Sequence, residues 1–438
     1  MPSDKSRFRD LWALRPGVTY LNHGSFGPSP KVVTAARQRW IEELESEPMD
    51  FLVRQMEGHL ERARLRLGEA VGTSGDNLIF VDNATFAMNI VAASFPLAPG
   101  DEVLATNHEY GAVLRIWRDR CRKTGAKLIV QKLPESFVEP GEVVEEFLRG
   151  VTGRTKLIVV SHITSPTALI LPVGEICRRA KKQSIRVCID GPHALAAVPV
   201  DIDRLDCDFY CASCHKWLSA PFGSGFLYAH PRWKQTVQPI VVSWGSSPAG
   251  RPPSWQDEFI WSGTRDPSPF LAVPAAIDFL ANLSAHSAGR NGMAGANEAA
   301  IVRSSAGNAS EAAWLLAGAD AVEGVGLFRE ISGSLVEYAR RKITAVTHLE
   351  PIGVSSRQWY GTMITLPLPV GVDETPVGHI HPLQAALWER FQIEAPVVNW
   401  SGRRHIRVSC HLYNDVQDLD RLAAALEALL VAREGGKD

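Results

Sequence analysis

Between residues 31 and 71 the apolar positions recur at helical spacing. Lys31 to Leu44 and Met49 to Val71 carry them with Arg and Glu between, which predicts two amphipathic helices. The pattern then shifts to short apolar runs: Leu78 to Val81, Glu102 to Thr106, Lys127 to Gln131, Leu157 to His162, Arg186 to Ile189 and Phe209 to Ala212. Runs of this length and character predict buried strands. Most are separated by stretches that hold a helix, such as Thr85 to Ser94 and Val173 to Gln183. Strands alternating with helices predict an α/β fold with a largely parallel sheet. After Phe279 the character changes, and Ala281 to Asn297, rich in Gly, Ser, Ala and Asn, places a domain junction nearby. Beyond it the alternation is finer: Leu387 to Phe391 and Leu419 to Leu430 read as helical and Ile406 to Cys410 as extended, with Asn414 or Asp415 placed to cap the last helix. The expected organisation is an N-terminal segment over residues 1–30, a large domain over 31–285 and a smaller α+β C-terminal domain over 286–438.

Composition narrows the class without choosing a function. The 438 residues, 45% apolar and 21% charged, exclude a disordered or collagen-like chain. Lys and Arg total 46 against 48 Asp and Glu, so a formal charge of -2 gives no bulk attraction to nucleic acid or an anionic membrane. No apolar run approaches the roughly 20 residues of a membrane helix. The opening MPSDKSRFRDLWALRPG lacks the apolar stretch of a secretory signal. Seven Cys, an odd number in a large chain, predict reduced thiols. The expectation is a cytoplasmic protein with no nucleic-acid or membrane partner.

The chemistry concentrates between Ile185 and Tyr228. One strand run ends on Asp190, with His193 three residues later, and a second leads into Ser213, His215 and Lys216. Adjacent parallel strands present their C-terminal ends on one edge, where the loops form the ligand crevice. Taken singly, such an Asp is a turn residue and such a Lys a solvated charge. Together they suit pyridoxal phosphate (PLP), whose aldehyde condenses with a lysine amine while a carboxylate keeps the ring nitrogen protonated. Ser213 and His215 would then face the phosphate, and His193 the ring or its phenolic oxygen.

This stretch resembles the class V aminotransferases, the cysteine desulfurase-like branch of fold-type I PLP enzymes. The matching motifs are Asp-x-x-His (Asp190, His193) and Ser-x-His-Lys (Ser213, His215, Lys216). The opening YLNHGSFGPSP (Tyr20 to Pro30) brings the resemblance nearest to isopenicillin N epimerase-like proteins. The resemblance implies a large domain with a mainly parallel, seven-stranded-type sheet. It further implies that Lys216 is the Schiff-base lysine, that Asp190 pairs with the pyridine nitrogen and that His193 lies near the phenolic oxygen. FVDNATFAMN resembles the phosphate-binding turn, with Ala84 and Thr85 opening a helix onto the phosphate. In NHEYGAVL, Tyr110 rather than His108 takes the place of the aromatic that stacks on the ring. SHITSPTA supplies Thr164 and Ser165 near the phenolic oxygen; relatives often carry Gly after the Thr, where this chain has Ala168.

By the same resemblance Arg407 in HIRVSCHLYN forks onto a substrate carboxylate, whereas Arg403 and Arg404 read as solvent-facing loop residues. Asn22 and His23, with Gly24, line the substrate pocket. Thr264 in SGTRDPSP reaches the phosphate site of a second subunit, implying a homodimer.

Two other patterns lead elsewhere. Cys211-Ala-Ser-Cys214-His215 fits covalent haem attachment, and Cys188, Cys207, Cys211 and Cys214 could form a zinc set. A haem would displace the lysine junction and no second C-x-x-C accompanies the first, so core cysteines and no metal are expected. Trp244, Trp255, Trp261 and Trp400 read as core or interface residues before they read as walls of a substrate pocket. Cysteine desulfuration needs a mobile nucleophilic Cys in the C-terminal part, and Cys410 on an expected strand does not suit it. Removal of a Cα proton by Lys216 leads to epimerisation, transamination or a carbon–sulfur β-elimination, with epimerisation favoured by overall likeness to the family. The contrasting class is a catalytically silent protein that merely retains the cofactor. A colour shift of the yellow protein on adding an amino acid separates the two.

Overall fold

The computed structural model describes residues 8–245, 253–283, 323–353, 356–369 and 380–434; the junction expected near residue 285 lies outside them. After a two-residue strand β1 (Thr19–Tyr20) come α1 (Lys31–Ser46) and α2 (Met56–Val71). The run expected as one helix from Met49 is broken by a wide π-type turn over Phe51–Gln55, which buries Phe51. The large domain then alternates through β2 (Leu78–Val81), α3 (Ala84–Ser94), β3 (Glu102–Thr106), α4 (Gly111–Thr124), β4 (Lys127–Gln131), α5 (Pro140–Leu148), β5 (Thr155–Ser161), α6 (Val173–Lys182), β6 (Arg186–Asp190), β7 (Phe209–Ser213), β8 (Gly225–Ala229) and α7 (Val273–Ala281).

These strands form one seven-stranded sheet in the order β2-β8-β7-β6-β5-β3-β4. All neighbours are parallel except at β8, which runs antiparallel to both β2 and β7. Alternate residues go to opposite faces. Ile79, Val103, Val159, Cys188, Phe209 and Leu227 pack with α3 and α4, while Phe80, Leu104, Val160, Ile189, Tyr210 and Phe226 join the larger core on the other side. With both faces covered, the strands read as continuous apolar runs.

The C-terminal part contains α8 (Glu323–Thr347), β9 (Met363–Pro367), α9 (Pro382–Phe391), β10 (Ile393–Glu394), β11 (Val397–Trp400), β12 (Arg403–Ser409) and α10 (Val416–Glu434). Strands β11, β12 and β9 form an antiparallel sheet. Asp415 is the cap of α10, its carboxylate accepting the Asp418 N–H at 3.1 Å. The start of the chain is stitched to this end: β1 pairs with β10, and Asn22 bridges to Ser409. Among the described residues no helix is long and apolar enough to cross a membrane.

One backbone feature bears on the site. Ala168, where relatives often carry Gly, has φ 60°. That left-handed conformation costs a residue with a Cβ about 1–2 kcal/mol. The loop keeps its path because the Thr164 hydroxyl accepts the Leu169 N–H at 2.9 Å and the Ala168 N–H meets the Thr164 carbonyl at 3.0 Å. Ala168→Gly is expected to raise the thermal midpoint by the equivalent of up to about 1 kcal/mol, after the larger unfolded-state entropy of Gly is subtracted. Calorimetry of the two proteins checks this.

Candidate active site

Asp190 is the last residue of β6 and lies opposite Ser161 on β5 and Cys211 on β7. A Cβ on Gly191 would come within 2.1 Å of the Tyr210 ring, so only Gly lets the chain turn immediately after the acid. Asp190 is buried, and burial pushes its carboxyl up to about 6 against the opposing pull of Lys216. Strand β7 runs straight into the lysine turn. Lys216 Nζ lies 3.0 Å from His193 Nε2. Burial, then the charge of Arg407, brings its amine down to about 7, while Asp190 works the other way. His193 is buried and neutral, its pKa driven far below the usual value by burial and then by Lys216. Its Nδ1 has no hydrogen-bond partner.

The adjoining turn is built to receive an anion. Asn83 caps α3, its side chain accepting the Phe86 N–H at 2.9 Å, and the Ala84 N–H donates to Ser213 Oγ at 2.9 Å. Gly225 gives the turn clearance, since a Cβ there would sit 2.6 Å from the Ala212 carbonyl and 2.9 Å from Asn83 Cα. Free N–H groups and the dipole of a helix start favour a phosphate. His215 is partly buried beside Phe222 with Nδ1 unpartnered, and burial brings its pKa down to about 4. On the outer side Arg265 donates to Asp82 at 2.7 Å, and its neighbour Thr264 is exposed.

Arg407, on β12, is buried. One guanidinium nitrogen donates to the Ser165 carbonyl at 2.8 Å and hydroxyl at 3.2 Å; the other donates to Ser25 Oγ. Burial brings its pKa down to about 10, opposed by Tyr110, which lies near enough to act on its charge. Tyr110 is half-exposed at the start of α4, whereas His108 is fully buried against Trp400, with Nδ1 bonded to Thr167 at 2.8 Å.

Three residues, Thr164, His23 and Arg404, sit differently from expectation. Thr164 is turned into its own loop, its hydroxyl occupied by Thr167 and Leu169. His23 is fully buried, with Nε2 on the Lys216 carbonyl at 3.0 Å and Nδ1 on the Tyr413 hydroxyl at 2.9 Å, so it stands behind the lysine. Asn22 is buried too, its Oδ1 unpartnered. Arg404 belongs to β12, which packs it inside with a bond to the Pro369 carbonyl at 3.1 Å.

Two residues were not legible as site residues. Ser25 is one, inside the opening motif. The other is Glu109, an acid between His108 and Tyr110 that is buried and accepts hydroxyl bonds from Thr106 at 2.7 Å and Ser161 at 2.5 Å. Burial lifts its carboxyl to about 7, and Asp190 adds to the rise.

An amine near neutrality, a buried acid beside it, unpartnered imidazole nitrogens and an anion-receiving helix start together fit PLP. A family model described as aminotransferase class-V matches residues 19–300. The chain belongs to the class-V aminotransferase family. Like other members of this family it is a PLP-dependent enzyme. It is 32% identical over 438 residues to the isopenicillin N epimerase of Streptomyces clavuligerus, covering 98% of each chain. It is 33% identical to a putative L-cysteine desulfhydrase of Oryza sativa subsp. japonica, over 60% of this chain and 57% of that one. A structure of C-DES with glycine covalently linked to its PLP cofactor superposes with a TM-score of 0.72 at 20% identity, covering 97% of this chain and 99% of the other. That likeness establishes the fold.

The family's members condense PLP with a neutral amine, so the rate at which cofactor-free protein captures added PLP is expected to rise with pH through about 7. Asp190→Asn removes the charge that favours the ammonium, and the inflection is expected to move to lower pH. Stopped-flow absorbance with both proteins checks the midpoint and its direction.

Proposed function

We propose that this family member acts at the Cα of an amino acid through Lys216, with epimerase chemistry like that of the isopenicillin N epimerases. The observation that carries the reading is the convergence, in one crevice, of a lysine brought to about 7 and an arginine whose fork meets only serine oxygens among the described residues. A buried guanidinium without a counter-charge favours a substrate carboxylate, which its two parallel donors fit.

Arg407 holds that carboxylate, and Ser165 and Ser25 set the plane of the fork. Asp190 keeps a proton on the ring nitrogen. When bound, the cofactor supplies a ring that accepts the electron pair left at Cα. Lys216 Nζ takes the Cα proton, with neutral His193 Nε2 at 3.0 Å accepting a hydrogen bond from the amine. Inversion requires a second donor, and Tyr110, half-exposed and near Arg407, is assigned that role. Ser213, Ala84, Thr85 and His215 hold the phosphate, and Thr264 is contributed by a second copy in a homodimer. The full-length likeness to an epimerase supports this reaction over others.

A second reading is a β-elimination that cleaves a carbon–sulfur bond, which requires only Lys216 as base. The likeness to a desulfhydrase over the large domain favours it. Desulfuration by a cysteine nucleophile is disfavoured by the setting of the thiols. All seven cysteines are free and buried, and burial raises the Cys410 thiol beyond the usual range.

Incubation of the PLP-loaded enzyme in deuterated water with isopenicillin N and a panel of amino acids is expected to give Cα deuterium with inversion. Lys216→Ala is expected to abolish it. Sulfide release from cysteine without inversion of any substrate would assign the β-elimination. No exchange with any substrate would overturn both readings.

A further inference from the structure

The Asn22–Gly27 motif touches both charged groups of the site from behind. The carbonyl of Lys216 can only accept, so His23 must carry its proton on Nε2 and accept the Tyr413 O–H on Nδ1. Burial keeps the ring neutral by bringing its pKa down to about 3, and the ring stacks on His411 at 4.0 Å. The same carbonyl accepts the Ser219 N–H at 2.8 Å, which closes the lysine turn. Two residues on, Ser25 Oγ receives the Arg407 guanidinium.

The two glycines are set by contact. A Cβ on Gly27 would lie 2.6 Å from both the His215 carbonyl and His23 Nε2, and one on Gly24 would lie 2.9 Å from Ser409 Oγ. The Ser409 N–H in turn donates to the Leu21 carbonyl at 2.9 Å, anchoring the stretch two residues from Arg407 on β12.

We propose that Asn22–Gly27 is a clasp in which His23 is a positioning residue for the Lys216 turn and Ser25 for the Arg407 fork. One short stretch then fixes the separation between the amine and the carboxylate-binding group. The clasp rests on the reading of Lys216 as the cofactor-bearing amine and Arg407 as the carboxylate ligand.

The test uses PLP-loaded His23→Gln, His23→Asn and Ser25→Ala. The Gln amide nitrogen reaches the place of Nε2 and keeps the donor to the Lys216 carbonyl; the Asn amide reaches only the place of Nδ1. His23→Gln is expected to retain the parent's visible absorption, its pH midpoint and its rate of cofactor loss. His23→Asn is expected to shift the midpoint and to lose PLP about tenfold faster, the effect of one buried hydrogen bond left unmade. Ser25→Ala is expected to raise KM about tenfold with the visible band unchanged.

Equal behaviour of the Gln and Asn variants would overturn the role of His23. An unchanged KM in Ser25→Ala, a variant that removes one hydroxyl and leaves the backbone intact, would overturn the clasp even if both His23 variants misfold. Borohydride trapping and peptide mapping of the parent separate the two levels. An adduct on another lysine overturns the site assignment itself, whereas an adduct on Lys216 with unaffected variants overturns only the clasp.

Discussion

The proposed role of Lys216 as nucleophile and base needs an amine that does not hold its proton, and lack of water and a neighbouring cation both work in that direction. Burial lowers the pKa of both the Lys216 amine and the Arg407 guanidinium, and the charge of Arg407 lowers that of the amine further. Asp190 resists the change from the next strand end, while Glu109, bonded to Ser161 and within the field of Asp190, is itself lifted to about 7. Asp190 ends β6, Lys216 follows β7 and Glu109 follows β3, while Arg407 comes from the smaller sheet.

The large-domain strands and their chemistry were readable because they coincide: apolar runs end on the polar residues Asp190 and Ser213. Alternation between runs and helices gave the α/β class for the same reason. Strand β8 was harder, because Gly225–Ala229, though as long as β6 and β7, opens on Gly directly after the Gly- and Pro-containing turn that follows Lys216. β1 and β10, two residues each, have no periodicity to reveal, and only their mutual pairing makes them strands. Arg404 misled because an arginine near a loop reads as solvent-facing, and only packing of distant segments buries it, whereas His23, expected to line the pocket, bonds the Lys216 carbonyl instead. Ser25 and Glu109 had signals too weak to separate from an ordinary turn.

The fold is shared with proteins that cleave carbon–sulfur bonds, and the crevice residues make a cofactor site without choosing the bond to be broken. Two details around that site bear on the choice in this chain. Its thiols are packed among apolar residues, Cys188 against Met88 for example, and it sets a half-exposed tyrosine beside the arginine fork. Reaction choice in such a scaffold is a matter of which proton donors and acceptors face Cα.

The contact between His23 and Tyr413 joins residues 390 positions apart, and the one between Ser25 and Arg407 spans 382. During synthesis the opening segment therefore leaves the ribosome long before its partners exist, and the large-domain sheet can assemble while that segment is still without a seat. Closure over long loops is slow. Competence to bind cofactor and substrate should then be a late event, arriving only when the last strand has docked and the two ends of the polypeptide meet.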